Sequence, residues 1–227
     1  MVWLRDLLML FFPVNCILCS KRLHSPGEVI CLSCEHKIPR TGYTGQPENP
    51  VAMSFWGRIP VEHCTSLFRF EKGSSYQSLL HDLKYRGNKR VGFYLGRLLG
   101  HDLKNSPYHS CDVIVPVPIH KKRYRQRGYN QSEIIAKGVS EIVDIPVEPN
   151  HLVRKVHKGS QTFMGRYERF ENVSGSFAIS KKAPPLHGKK ILLIDDVITT
   201  GATLEACCQV LISHYACRIY MATVCCA

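Results

Sequence analysis

No apolar run in this 227-residue sequence is long enough to cross a bilayer as a helix. The opening stretch VWLRDLLMLFFPV comes nearest, but Asp6 interrupts it and no small-residue cleavage site follows, which argues against both an anchor and a signal peptide. Trp3, Leu4, Leu7, Leu8 and Phe11 recur there at helical spacing, so a short amphipathic helix packed on the body is expected. No integral membrane span is expected. Without a secretion signal, the 11 cysteines are assigned to a reducing, cytoplasmic setting where thiols and metal ligands dominate over disulfides. A P-loop and a G-x-G-x-x-G fingerprint are both missing, which removes the commonest nucleotide-binding devices. No internal repeat or low-complexity tract is apparent. Acidic residues are scarce: 18 Asp and Glu face 30 Lys and Arg, and the resulting charge of +12 favours phosphates, nucleotides or nucleic acid as partners.

Against those absences, four cysteines stand out. CILC at Cys16 and Cys19 and CLSC at Cys31 and Cys34 form two Cys-x-x-Cys knuckles, each offering two thiolates to one tetrahedral ion. A structural Zn2+ site of four cysteines is expected, with no coordination place left for substrate. His24 and His36 lie near enough in sequence to compete as ligands, with surface positions as the alternative. Residues 39 to 60 are rich in Pro, Gly and Asn and mark a soft boundary between a module over 1–57 and a domain over 58–227.

The larger region reads as alternating strands and helices. CTSLFRFEKG alternates like a strand, and helical spacing recurs in SYQSLLHDLKYRG and VGFYLGRLLGHDL. CDVIVPVPIH, 111–120, is a β-branched run halted by prolines, as in a buried parallel strand. The basic run KKRYRQR follows directly, where ligands of open α/β sheets bind. QSEIIAKGVSEIV is helical, whereas HLVRKVHKGSQTFMGRYERFENV is polar and aperiodic, a candidate loop over a site. KKILLIDD, ATLEACCQVLISH and CRIYMATVCC complete the order as strand, helix and strand. An α/β fold with a central, mostly parallel sheet follows. Cys207, Cys208, Cys217, Cys225 and Cys226 lack metal-type spacing and are taken as small core residues.

ILLIDDVITTGAT, 191–203, does not fit a plain buried strand, since adjacent strand residues point to opposite faces and each buried charge needs a partner. Thr199, Thr200, Gly201, Ala202 and Thr203 lie between a strand end and a helix start, where free N–H groups and the helix dipole favour an anion. Two carboxylates beside a phosphate site can accept hydrogen bonds from vicinal hydroxyls. A sugar phosphate has both features.

The same thirteen residues closely resemble the phosphoribosyl pyrophosphate (PRPP) motif of type I phosphoribosyltransferases. With LKYRG, VPVPIH, RQRGYNQSE, SQT, ERFENVSGSF and the cysteine pairs, the chain resembles the ComF family of competence-associated, amidophosphoribosyltransferase-like proteins along nearly its whole length. It departs from many relatives in having no further cysteine pair between Cys34 and Cys64. The resemblance implies a Rossmann-like type I phosphoribosyltransferase fold, with Asp195 and Asp196 at the ribose hydroxyls and Thr199 to Thr203 at the 5′-phosphate. It also implies Mg2+ with PRPP and pyrophosphate over the backbone of Val117 and Pro118 to His120. Arg123, Arg127 and Arg154 are candidate catalytic cations, with Lys155 and Lys158 nearby; His120 and His157 are lesser candidates as bases, and Tyr129 for stacking. Three functions stand open: phosphoribosyl transfer to an unknown nitrogen acceptor linked to DNA uptake or DNA processing, PRPP or nucleotide sensing by a DNA-handling protein, and a purely structural nucleic-acid-binding zinc protein, with single-stranded or branched DNA as a candidate partner. Oligomeric state is left open.

Overall fold

The computed structural model describes residues 14–23, 25, 27–155 and 175–227. The expected N-terminal helix, His24, and most of the expected loop, with His157, Lys158 and the SQT stretch, lie outside the described residues.

Four parallel strands form the central sheet, in the order β1 (His63–Arg69), β6 (Arg218–Cys226), β5 (Lys190–Ile198) and β2 (Val113–Pro116). Their β-branched and aliphatic runs are buried on both faces, as parallel strands require when helices cover each side. One face holds Leu192, Ile194, Tyr220 and Ala222 against α3 (Gln77–Tyr85), α4 (Lys89–Lys104) and α6 (Gln131–Val143). The other holds Ile191, Leu193, Ile219 and Met221 against α7 (Ala202–His214) and α2 (Pro50–Met53). Helices α4 and α6 meet backbone to backbone. A Cβ on Gly96 would lie 2.2 Å from the Ile135 carbonyl, and one on Gly138 would lie 2.2 Å from that of Phe93.

Three segments take structure that the sequence spacing does not indicate. The basic run folds as α5 (Lys121–Arg127), started by His120, whose Nδ1 accepts from Lys122 N–H at 3.2 Å, and ended by Gly128 at φ 78°. The run has no apolar face and so gives no helical periodicity, but the two caps satisfy its ends. Residues 152–154, expected in the loop, form β3 (Leu152–Arg154), paired antiparallel with β4 (Phe177–Ile179). Within 39–60, Asn49 caps α2 by accepting from Val51 and Ala52 N–H, each at 3.0 Å.

The cysteine-bearing segment docks on the sheet region. Cys16, Leu23, Val29, Ile30 and Ile38 share a core with Leu79 and Leu95. At its edge Tyr76 donates to the Cys34 carbonyl at 3.1 Å, and Tyr94 donates to the Glu35 carboxylate. Phe55 lies in the opposite core, beneath the start of α7.

Candidate functional site

Strand β2 stops at Pro116 opposite Ile194, so β5 runs on past its neighbour with one edge free. There the expected alternation breaks. Ile191 and Leu193 face one core and Leu192 and Ile194 the other, yet Val197 packs with the second pair and Ile198 with the first. The ladder to β6 keeps one register from Lys190 to Ile198, so the change lies in which core each side chain reaches, and both carboxylates line a single cavity of about 480 Å³. The sequence treats the pair as a strand ending; the strand instead continues to Ile198. Each carboxylate satisfies the N–H that follows it: Asp196 N–H donates to Asp195 Oδ1 at 2.8 Å, and Val197 N–H to Asp196 Oδ1 at 2.7 Å.

Asp195 is buried, and Ser132 Oγ on the first turn of α6 donates to its Oδ1 at 2.8 Å. Asn130 fixes that turn: it caps α6 by accepting from Ser132 N–H, and its amide donates to the Val117 carbonyl at 3.0 Å. Burial, followed by the neighbouring Asp196 charge, pushes the Asp195 carboxyl up to about 7 against the Ser132 and backbone bonds. Asp196 pairs with Lys84, Nζ to Oδ2 3.1 Å.

Arginines from two elements occupy the wall that includes the β2 end. Arg123 and Arg127 line the cavity from α5, and Arg154 from β3. Arg127 donates to Gln131 Oε1 at 3.0 Å and lies over the Tyr85 ring, 5.5 Å from its centroid. Burial and the Arg123 charge lower the pKa of Arg154, with Cys207 and Asp195 acting in the other direction. Four cations, Lys84, Arg123, Arg127 and Arg154, thus line the cavity with two carboxylates, and burial weakens the charge of one of these, so the cavity attracts anions.

Val117, Pro118, Thr199 and Thr203 also line the cavity. Thr200, Gly201 and Ala202 lie between those threonines at the start of α7 and are not among the lining residues. Gly201 is obligatory on two counts: its φ is 76°, and a Cβ would sit 2.8 Å from the Phe55 ring. Gly201 at the N-cap has no side chain to offer, and Thr200 Oγ1 accepts from Ala202 N–H at 3.4 Å, so the next N–H groups of the α7 first turn, those of Thr203 and Leu204, are the ones that suit an anion.

The second constellation lies apart from this cavity. The Sγ atoms of Cys16, Cys19, Cys31 and Cys34 all fall within 4.8 Å of one another, the single such group among the described residues. Cys31 N–H donates to Cys16 Sγ at 3.3 Å. Burial raises the Cys16 thiol, but the N–H groups of Cys31, Cys19 and Leu18 outweigh it and bring it down to about 7. Burial and the three neighbouring thiols push Cys34 up to about 12. Four thiols crowded so closely oppose one another's ionisation, a conflict that a soft divalent cation resolves; the donor set fits a tetrahedral thiolate-bound ion. His36 is exposed and is not part of the group.

A model of the phosphoribosyl transferase domain matches residues 130–227, which contain the acid pair and the α7 start. Competence protein F of Haemophilus influenzae is 26% identical over 213 residues, covering 87% of this chain and 90% of that one. Competence protein ComFC of Bacillus subtilis is 24% identical over 214 residues, covering 84% and 85%. The chain is thus similar to the ComF competence proteins along most of its length. DNA utilization protein YhgH of Escherichia coli K12 is 26% identical over 151 residues, 65% of each chain. Among solved structures, a glutamine PRPP amidotransferase from B. subtilis aligns at 19% identity and a TM-score of 0.40, covering 62% of this chain and 30% of that one. The domain match and the parallel sheet make this a type I phosphoribosyltransferase fold.

Sequence reasoning overlooked Lys84 and Ser132 as site residues, although both lie in stretches that resemble the ComF family, LKYRG and NQSE. Their residue types carry no chemical signal; only the packing of α3 and α6 brings them to the acids. Tyr129 is buried and donates to the Leu83 carbonyl, a packing position. No described helix is long and apolar enough to cross a membrane.

Proposed function

We propose that the carboxylate cavity binds PRPP and that the protein transfers its phosphoribosyl group to a nitrogen acceptor. The supporting observation is the convergence of both carboxylates, the open α7 start and three arginines on one cavity. Asp195 and Asp196 accept from the ribose 2′ and 3′ hydroxyls, and Thr199 to Thr203 hold the 5′-phosphate through N–H and hydroxyl donors. Pyrophosphate lies at Val117 and Pro118, where Arg123, Arg127 and Arg154 neutralise it by charge-assisted hydrogen bonds. Mg2+ arriving with PRPP would neutralise the leaving group further, and the aspartates supply the hard oxygens that such an ion prefers. Catalysis then rests on positioning and on charge stabilisation of an oxocarbenium-like state. Residues 1–57 form a Zn2+ module, held by Cys16, Cys19, Cys31 and Cys34, that serves the 58–227 domain.

Isothermal titration with PRPP and Mg2+ tests this: saturable binding is expected, lost in the Asp195→Asn, Asp196→Asn double variant. Pyrophosphate release is then measured across nitrogen acceptors. Tight binding with no release on any of them would make the site a sensor.

A second reading, DNA handling in competence, is favoured by α5. It turns Arg123 and Arg127 into the cavity but leaves Lys121, Tyr124 and Arg125 on its other side, with Tyr124 exposed. Exposed cations beside an exposed ring suit single-stranded DNA. Lys121→Glu with Arg125→Glu should weaken DNA binding and flatten its salt dependence while sparing PRPP.

A further inference from the structure

Side chains of α3 and α4 hold the cysteine segment against the main domain. Tyr76, at the start of α3, donates to the Cys34 carbonyl at 3.1 Å. From α4, Arg90 donates to the Glu28 carbonyl at 3.1 Å and Tyr94 to the Glu35 carboxylate. The two helices differ in what they carry further on. No residue of α4 lines the carboxylate cavity, whereas α3 ends there with Lys84 and Tyr85. Lys84 pairs with Asp196, and the Tyr85 ring lies beneath the Arg127 guanidinium. Between its ends α3 is locked: Leu79 and Leu83 are fully buried in the core that also holds Cys16, Leu23 and Ile30, and Tyr129 donates to the Leu83 carbonyl. The helix is therefore one stiff piece, about 12 Å from Tyr76 to Lys84, with one end on a cysteine knuckle and the other on the cavity.

We propose that Tyr76 is a positioning residue that couples the two sites, so that a metal-loaded cysteine cluster and a sugar phosphate in the carboxylate cavity bind cooperatively. The proposal rests on the donor and Zn2+ readings above. With Cys31 and Cys34 both ligated, the Cys34 carbonyl is fixed and holds the α3 start through the Tyr76 hydroxyl. Without an ion the crowded thiols separate, the knuckle loosens, and α3 loses that anchor. At the far end the consequence is electrostatic. Two adjacent carboxylates repel an anionic sugar phosphate, and Lys84, 3.1 Å from Asp196, offsets that repulsion only while α3 keeps its place. The side chains of this pair are 25% and 16% exposed, so solvent and salt screen it less than a surface pair. Coupling of this kind is reciprocal: the factor that zinc adds to ligand affinity is the factor that the ligand adds to zinc affinity.

Ribose 5-phosphate is the probe, because it offers the hydroxyls and the phosphate without a pyrophosphate that would itself chelate zinc. In the zinc-loaded full chain, Tyr76→Phe should retain zinc but weaken calorimetric binding of ribose 5-phosphate about fivefold or more, the lower end of allosteric coupling. Tyr94→Phe removes the corresponding tie from α4 and should leave that affinity within about twofold. A merely structural role for the two hydroxyls would move both variants together. A second measurement needs no variant: competition with a zinc-selective chelator should show zinc held about fivefold more tightly when ribose 5-phosphate is saturating. Tyr76→Phe should bring that factor close to one. Zinc affinity indifferent to ribose 5-phosphate in the natural chain, unchanged ligand affinity in Tyr76→Phe, or equal losses in the two tyrosine variants overturns the coupling and leaves both sites standing. A chain that binds neither ribose 5-phosphate nor PRPP overturns the donor reading and the inference with it, and a chain that holds no zinc overturns the cluster reading in the same way.

Discussion

The cysteine cluster and the carboxylate cavity solve opposite problems with similar means. In the cluster, four acceptors of one kind converge within 4.8 Å, and the only charge that fits is one from outside. In the cavity, two carboxylates are already answered from within, Asp196 by Lys84 and Asp195 by Ser132 and its own burial. A closed ligand set holds an ion permanently and ties a fold together. A set of paired, partly neutralised charges around open space can release its internal partners to a ligand and recover them afterwards. The difference shows in what surrounds each: the cluster is tied by Tyr76 and Tyr94 into the main core, while the cavity lies where β2 stops and β5 continues.

The largest effect should come from opening the closed site. Cys16→Ser or Cys34→Ser, or chelation, removes a metal-linked contribution of several kcal/mol. Because Leu23, Ile30 and Ile38 share a core with α3 and α4, thermal melting should lose cooperativity across the whole chain, with zinc content measured in parallel. An unchanged melt with no zinc bound would break the comparison. Next comes the cavity itself: Asp195→Asn with Asp196→Asn should cost at least about 100-fold in PRPP affinity, roughly 2.7 kcal/mol, while leaving the melting temperature equal or higher. Removing acids from one site should thus spare the fold, whereas removing thiols from the other should not.

Gly201→Ala falls between the two, since it strains φ 76° and presses on Phe55. Denaturant unfolding should show about 1–3 kcal/mol of destabilisation, and PRPP binding should weaken in parallel. The smallest effect sharpens the cavity's electrostatics. With its carboxyl pushed up to about 7, Asp195 retains a proton in the fold that the unfolded chain releases near 3.8. Its stabilising contribution is therefore full below about 4 and is lost as pH rises through about 7. Asp195→Asn should flatten that part of the stability–pH curve relative to the natural chain; a parallel pair of curves would show an ordinary, solvated carboxyl.

Much of the fold was legible because it is periodic. The strand runs at 113–116, 190–196 and 218–226 and the helices at 131–143 and 202–214 follow from apolar runs that persist over several turns or pleats, although the second strand continues to Ile198. Helix α5 was not, because its stability comes from its two end caps and its spacing has no apolar face. Strand β3 was not, because three residues carry too short a pattern.

By itself, the sequence determined the α/β class, the paired knuckles, and the acid pair ahead of a glycine-started helix. Each of these is written in spacings of a few residues, where covalent geometry limits the outcomes. Tertiary structure decided the rest: that β5 runs on past the end of β2 so that adjacent acids share a cavity, that Lys84 and Ser132 reach them, and that α5 divides its cations between two sides. Ser132 and Asp195 are 63 residues apart in the chain, and no local rule relates them. Their meeting depends on α6 packing against β5 where β2 has ended, a placement set by the burial of two cores.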